Sequence, residues 1–222
     1  MTQTFYSRIG KRWFDVASAS VGIVVLAIPF GIVAILVKLS SPGPVFFRQN
    51  RTGQFGRPFR IFKFRTMIVT SGNGPLLTVA GDSRITRIGK WLRSSKVDEL
   101  PQLINVLVGD MSMVGPRPEV PAYTAAFTEE QRQIFVAKPG ITGFSANVLE
   151  EELLASQKDT EAFYLATVLP SKLKIDLAYC RDINFADDLY VILRTIGRVL
   201  TRIVEIHKPM NPSPKNSPTA PE

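Results

Sequence analysis

Residues Val16 to Val37 read VASASVGIVVLAIPFGIVAILV, an apolar run without a single charge. Its length matches the ~20 residues that an α-helix needs to cross the hydrocarbon core of a bilayer. Cleavable signal peptides have a shorter apolar core with a small-residue cleavage site just after it, whereas this run continues into Lys38-Leu39-Ser40-Ser41-Pro42-Gly43. The run is therefore expected to remain in the mature protein. Arg8, Lys11 and Arg12 precede it and Lys38, Arg48 and Arg51 follow it. The positive-inside rule thus gives a single crossing no direction, and both ends can face the cytoplasm. Pro29, near the middle, removes one backbone donor and crowds the preceding turn. Two readings satisfy these residues: a helix-loop-helix hairpin that dips into one leaflet, and an ordinary spanning helix with a tolerated proline.

Outside this run, the 222 residues suffice for one domain with a sizeable core and are short for two. Lysine and arginine outnumber the acids by 27 to 19, a formal charge of +8, which favours an anionic partner: nucleic acid, anionic lipid or a phosphorylated substrate. Cys180 is the only cysteine and His207 the only histidine. An internal disulfide is thereby excluded and thiolate or imidazole metal cages are disfavoured, so any bound metal should be a hard cation held by oxygens.

Past a turn-rich joint at Ser41-Pro42-Gly43-Pro44 and the segment Val45 to Arg51, the run Pro58 to Met67 alternates aromatic or aliphatic residues with basic ones. This predicts a short half-buried strand with its cations on one face. Thr70 to Asp82 reads as a mobile loop. Ile85 to Leu92 reads as a short helix around which Arg84, Arg87, Lys90 and Arg93 recur every three residues, a spacing ordinarily that of a solvated basic face. Asp98 to Val108 has a buried stripe of Leu100, Leu103, Ile104 and Leu107 and should stop at Gly109. Ser94 or Ser95 is its candidate cap, and Pro101 is acceptable in the first turn. Glu129 to Val136, Glu150 to Gln157 and Asp159 to Leu169 are expected to be scaffold helices. From Leu189 to Ile206 an apolar face lies beside Arg194, Arg198 and Arg202, which suits the headgroup layer of a membrane and equally a surface helix packed on the protein's own core. The proline-rich tail from Lys208 is expected to be disordered.

Asp98 and Glu99 fall where a helix begins, so backbone donors and the helix dipole can stabilise an ionised carboxylate and attract an anion. Such a pair more often serves capping than catalysis. Here Arg93 lies five residues before Asp98, and the rigid triplet Pro116-Arg117-Pro118 follows the helix; each arginine can present a planar fork to phosphate oxygens.

With these residues in place, the sequence resembles the bacterial sugar transferases, the small monotopic phosphoglycosyl transferases. The matching runs are Lys11-Arg12 with Asp15, Phe62-Lys63-Phe64-Arg65-Thr66-Met67, Arg84-Ile85-Thr86-Arg87-Ile88-Gly89, Arg93 through Asn105 (RSSKVDELPQLIN), Gly109-Asp110-Met111-Ser112, Gly115-Pro116-Arg117-Pro118 and Pro139-Gly140-Ile141-Thr142-Gly143. The resemblance spans roughly residues 8 to 205. It implies transfer of a sugar 1-phosphate from a UDP-sugar to undecaprenyl phosphate, with release of UMP, Mg²⁺ as cofactor and a phosphosugar ester on Asp98 as intermediate. Glu99 would share the catalytic site and Asp98 would also meet the metal. Arg93 and Arg117 would bind phosphate, with Lys63 and Arg65 adding positive field; the other reading of Lys63 and Arg65 is surface solubility.

The implied fold is mainly α with short β elements (α+β). It comprises an N-terminal re-entrant hairpin over residues 1–41 broken at Pro29, a cytoplasmic catalytic domain over 42–206 with amphipathic interfacial helices, and a tail over 207–222. The implied location is the bacterial inner membrane, catalytic domain on the cytoplasmic face, with room for a homo-oligomer and no nucleic-acid partner. Ile28 stands where the family has serine before the break proline, without that serine's polar contact to freed carbonyls, and Phe144 to Glu150 departs from the family's usual run after Gly143; if that region helps choose the sugar, the usual sugar assignments do not transfer. Larger relatives carry additional spanning helices before this core; here about ten residues precede Lys11, the expectation for a minimal catalytic form. The competing reading is a membrane-anchored basic module that binds nucleic acid or anionic lipid without catalysis.

Overall fold

The apolar run lies within one helix, α1 (Lys11–Ser40), entered through a wide turn at Tyr6–Gly10. The structure, a computed structural model, describes residues 5–69, 82–147 and 159–206. The loop expected over residues 70–81, the helix expected over Glu150–Gln157 and the tail from Lys208 lie outside the described residues. Pro29 stands inside α1, which is not divided there into two arms joined by a loop. A proline deletes one backbone hydrogen bond of the ladder, and packing on both sides of Pro29 keeps the flanking residues helical.

By length and composition α1 is able to cross a membrane, with a mean hydropathy of 2.8 over its most apolar window. Yet one of its faces is bound from end to end. At its start, Lys11 Nζ donates to the buried Asp188 carboxylate and, over 3.0 Å, to Tyr179 Oη. Arg12 donates to the carbonyls of Val106 and Leu107 at 2.6 and 2.8 Å, and Asp15 accepts from Ser112 Oγ and the Met113 N–H at 2.9 and 2.8 Å. Ala19 packs with Ile61, Leu103, Val106 and Met111, and Val33 and Val37 pack with Phe64 and Leu92. At its end, the buried Arg65 donates to the carbonyls of Val37, Ser41 and Pro42 at 2.9, 2.7 and 2.8 Å, satisfying acceptors that a helix terminus leaves open. The opposite face is apolar and uncovered: Val24, Ile28 and Leu39 are 76%, 77% and 79% exposed.

Strands β1 (Phe46–Thr52) and β2 (Pro58–Phe64) form an antiparallel hairpin. Directly opposed residues share a face, so the pairs Phe47–Lys63, Gln49–Ile61 and Arg51–Phe59 lie on one side and Arg48–Phe62 and Asn50–Arg60 on the other. The cations of β2 therefore do not all share a face, because Arg60 and Lys63 have opposite parity. Fully buried Asn105 latches β2 from below: its Nδ2 donates to the Arg60 carbonyl over 2.8 Å and its Oδ1 accepts the Phe62 N–H over 2.9 Å.

Helix α2 (Arg87–Ser95) starts later than expected, since Ile85 bridges to Met67; Thr86 caps it, its Oγ1 accepting the Gly89 N–H at 2.9 Å. The stretch read as one helix from Asp98 is instead a 3₁₀ turn, Val97–Gln102, followed by α3 (Leu103–Val108). Neither Ser94 nor Ser95 caps it. Gly109 ends α3 at φ 96° as its position predicted. Strands β3 (Ser112–Val114) and β4 (Gly140–Thr142) pair in parallel. Between them lie the short helices α4 (Pro121–Thr124) and α5 (Glu129–Arg132), the latter tightening into a 3₁₀ turn at Gln133–Val136. Asp159 caps α6 (Thr160–Phe163), which runs through a wide turn into α7 (Leu169–Arg181). Leu169, Leu173 and Leu177 of α7 join Tyr164, Val168, Val114, Val120 and Ile134 in the largest apolar cluster.

Helix α8 (Phe185–Ile206) buries Asp188 and Val191 but leaves Leu193, Ile196, Leu200 and Val204 more than half exposed, with Arg194 and Arg198 beside them. The helix thus packs on the core through Asp188 and Val191 and leaves much of its apolar face uncovered.

Asp188 is the knot between α1, α7 and α8, accepting also from Tyr6 Oη at 2.6 Å and Tyr179 Oη at 2.7 Å. Removing one partner of a buried ion pair leaves the other charge uncompensated. Asp188→Ala is expected to cost roughly 3–5 kcal/mol, measured as a lowered denaturation midpoint in detergent.

Candidate active site

Lys96 adopts a left-handed backbone, φ 60° and ψ 14°, between α2 and the 3₁₀ turn. A non-glycine residue holds that conformation at a cost of about 1–2 kcal/mol, and here it turns the chain sharply from α2 into the 3₁₀ turn that carries both Asp98 and Glu99. Asp98 is 8% exposed, and its Oδ1 is buried without a hydrogen-bond partner. Buried acceptors are almost always paired, which marks this oxygen as one held ready for a ligand.

Glu99 collects the cations. Its Oε1 accepts from Lys63 Nζ at 2.6 Å and from Arg117 Nη2 at 3.2 Å. Lys63 arrives on the inward face of β2, and Arg117 on the extended segment between Pro116 and Pro118. That segment is pinned at every step: the Pro116 carbonyl accepts from the Gly140 N–H at 2.9 Å, the Arg117 N–H donates to Asp176 Oδ2 at 3.3 Å, and the Pro118 carbonyl accepts from Arg51 Nη1 at 3.1 Å. Gly115 permits the approach, since a Cβ there would lie 2.3 Å from the Lys138 carbonyl oxygen.

The electrostatics separate the two carboxyls. Burial, and then the charge of Glu99, push Asp98 up to about 6 against the pull of Lys63, Lys96 and Arg93. Burial acts to raise Glu99 too, but Lys63, Arg117 and Lys96 overcome it and hold Glu99 well below the usual carboxylate range. Glu99 is the fixed anion, and Asp98 is a carboxylate that ionises just below neutrality.

Of the residues singled out in sequence, Asp98, Glu99, Lys63 and Arg117 come together, and Arg93 acts on Asp98 through its charge. Arg65 does not join them. The carbonyls it serves lie in the last turn of α1 or just past it, so it fastens the end of that helix and stays apart from the Glu99 cluster. Arg84 pairs locally with Asp82 at 2.6 Å, and Arg87 and Lys90 are exposed, which agrees with the solvated reading of that spacing. The helix-dipole contribution expected at Asp98 gives way to side-chain cations, because the element is a 3₁₀ turn.

Sequence reasoning missed a second layer. Glu119 accepts from Lys172 Nζ at 2.9 Å and Tyr164 Oη at 2.8 Å, while Arg51 Nη1 lies 4.0 Å from its other oxygen. Asp176, one turn beyond Lys172, is pushed up to about 6, chiefly by burial. The available signal was Lys172 and Asp176 lying among Leu169, Leu173 and Leu177: charges on the buried stripe of a helix.

Mg²⁺ takes oxygen ligands, usually one or two carboxylates with the remainder from phosphate and water. Among the described residues no three or more of His, Cys, Asp and Glu form a metal cage. The Asp98–Glu99 pair, with Asp98 Oδ1 unpartnered, fits the sparser donor set.

The chain thus carries one helix long and apolar enough to cross a membrane, with an uncovered face, and a largely shielded carboxylate pair flanked by cations. Residues 6–202 match the bacterial sugar transferase family, and the chain belongs to it. A UDP-glucose:undecaprenyl-phosphate glucose-1-phosphate transferase of Caulobacter vibrioides is 39% identical over 196 residues, covering 86% of this chain and 70% of its own length. An exopolysaccharide production protein of Rhizobium leguminosarum bv. phaseoli is 38% identical over 200 residues, 86% of this chain and 96% of its own. A UDP-N-acetylgalactosamine-undecaprenyl-phosphate N-acetylgalactosaminephosphotransferase of Aeromonas hydrophila is 37% identical over 195 residues; there the chain spans 44% of the relative's length.

An acid whose folded pKa is raised binds its proton more tightly when folded, so the stability it gives is present below the unfolded pKa and lost as pH rises through about 6. Asp98→Asn removes that loss. It is expected to raise thermal stability at pH 8, by on the order of 2–3 kcal/mol, and to do so far less at pH 4. Melting curves at the two pH values check this.

Proposed function

We propose that the protein transfers a sugar 1-phosphate from a UDP-sugar to undecaprenyl phosphate and releases UMP, initiating polysaccharide or glycoconjugate synthesis. The observation that carries the reading is the buried, unpartnered Asp98 carboxylate oxygen set beside Glu99, Lys63 and Arg117. The names of the relatives support it.

In the first step, an oxygen of ionised Asp98 attacks the phosphorus bonded to the sugar. The new P–O bond forms as the bond from that phosphorus to the bridging oxygen of the diphosphate breaks, and UMP departs with that electron pair. In the second step, an anionic oxygen of the lipid phosphate attacks the same phosphorus and expels the Asp98 carboxylate. An ionised lipid phosphate needs little deprotonation, which leaves Glu99 a positioning role: it fixes Lys63 and Arg117 where the phosphate oxygens will lie. Arg93 and Lys96 add positive charge at Asp98. Mg²⁺, which Asp98 would hold together with phosphate oxygens and water, would supply further neutralisation of the diphosphate.

The apolar run then sits as a re-entrant segment in the inner membrane, with the catalytic domain on the cytoplasmic face. This reading is supported by the ties that fasten both ends of α1 to the same body through Asp188 and Arg65. A helix of 30 residues reaches about 45 Å when straight, more than a ~30 Å hydrocarbon core, so a simple crossing would separate ends that are attached in common. The uncovered stripe of α8 with Arg194 and Arg198 suits the headgroup layer.

With Mg²⁺ and polyprenyl phosphate present, the protein should release UMP from a UDP-sugar; UDP as product would indicate transfer of the sugar without its phosphate. Asp98→Asn should lower kcat/KM by on the order of 10³ or more, and full turnover by that variant would sink the covalent route. Because protonated Asp98 cannot attack, kcat/KM of the wild type should fall as pH drops below about 6, which a pH–rate profile measures.

A further inference from the structure

Arg51 stands in β1 opposite Phe59, on the hairpin face that also carries Lys63. Its Nη1 donates to the Pro118 carbonyl at 3.1 Å and its Nη2 to Gln49 Oε1 at 2.7 Å, both uncharged acceptors. Its Nε is buried without a hydrogen-bond partner. Among the described residues the one carboxylate within 4.0 Å of its guanidinium is Glu119, and that anion already accepts from Lys172 at 2.9 Å and Tyr164 at 2.8 Å. Buried charges are ordinarily paired and hydrogen-bonded, so Arg51 is short of an anion.

On the reading of the protein as a sugar-1-phosphate transferase, we propose that Arg51 binds the phosphate of the donor that departs as UMP. Its neighbours place it for that contact. Burial lowers the pKa of Lys63, and the charges that act on Lys63 after it are those of Glu99, Arg117, Asp98 and Arg51. Burial likewise lowers that of Arg51, where the charges of Glu119, Arg117 and Glu99 act. Asp98 responds instead to Glu99, Lys63, Lys96 and Arg93. The charges therefore run as a row from Asp98 through Glu99, Lys63 and Arg117 to Arg51. In a phosphoryl transfer the attacking and leaving oxygens lie roughly in line across the phosphorus. With Asp98 attacking from one end, the bridging oxygen and the second phosphate point along the row towards the other end, where Arg51 stands.

The chemistry of that end suits a guanidinium. The P–O bond that breaks leaves its electron pair on the UMP phosphate, which gains charge as it departs. A guanidinium stays protonated and offers donors in a fixed plane; here Pro118 and Gln49 hold the plane and Nε has no acceptor. The side chain is 18% exposed, so it is not sealed from a ligand. A contact that strengthens as charge develops on the leaving group lowers the barrier of the first displacement. It plays no part in the second, in which Asp98 is the group expelled.

Titration of the full-length protein in detergent with UMP and with uridine, by calorimetry, isolates the phosphate contacts without turnover. The wild type should bind UMP at least about tenfold more tightly than uridine, and Arg51→Met should lower UMP affinity about tenfold with uridine affinity unchanged, the scale of one hydrogen bond to a charged group. Glu119 keeps Lys172 and Tyr164 in that variant, so no carboxylate loses its last partner. Repeating the substitution in an Arg117→Ala background separates contact from positioning: a further loss of about tenfold supports the proposal, and no further loss overturns it, because Arg51 then acts only by holding the segment that carries Arg117. In rapid-quench assays Arg51→Met should slow UMP release from UDP-glucose without acceptor, and should pass the sugar phosphate from the preformed ester to polyprenyl phosphate at the wild-type rate. Equal slowing of both steps, or of the second alone, overturns the proposal, as does unchanged UMP affinity. A wild type whose UMP binding depends on Arg51 but which releases no UMP from UDP-sugars would refute the proposed function and leave the phosphate contact standing.

Discussion

Glu99 keeps its charge although its side chain is only 14% exposed, and much of the site's arrangement follows from that. A carboxylate in low dielectric must be compensated, and here compensation comes from Lys63 on the hairpin and Arg117 on the segment between two prolines. Three separate pieces of chain are thus drawn to one point by a single anion. The same anion, added to burial, raises the proton affinity of Asp98 next to it. One residue therefore assembles the cations and sets the ionisation of its neighbour, and the 3₁₀ turn that carries both is held in place by the strained left-handed Lys96.

Helix α1 is part of the same construction. Ala19 shares a cluster with Ile61, whose strand carries Lys63, and Val33 and Val37 share one with Phe64 and Leu92. Arg12 closes the end of α3 by taking the Val106 and Leu107 carbonyls. A shift of α1 would be felt through α3 and β2 at Asp98 and Lys63. Anchoring the helix along one face, with apolar residues left uncovered on the other, fixes the height of the charged cluster relative to any bilayer that receives that uncovered face.

Behind the reacting pair, Glu119, Lys172, Tyr164 and Asp176 form buried polar contacts that place the Pro116–Pro118 segment. Networks of this kind are costly when half satisfied and rigid when complete. Arg51 joins this layer to the front one, being close to Glu119 and bonded to the Pro118 carbonyl. The placement of Arg117 thus rests on side chains that do not touch Glu99.

The sequence by itself determined the apolar run, the acidic pair, the arginine between two prolines and the stop at Gly109, because each is a local pattern whose physical meaning is contained in a few neighbouring residues. It also identified the family, since the motifs lie in fixed order along the chain. It did not reveal that Arg65 fastens a helix end and stays apart from the Glu99 cluster: Lys63 and Arg65 look alike in sequence and differ only in what lies opposite them. Nor did it reveal Arg51, Glu119, Lys172 and Asp176, whose partners are tens of residues away. Tertiary structure decided those roles, because the role of a charge depends on which counter-charges and carbonyls surround it once water is removed. Local rules left open how the run passes Pro29; in the structure that residue stands inside a helix from Lys11 to Ser40.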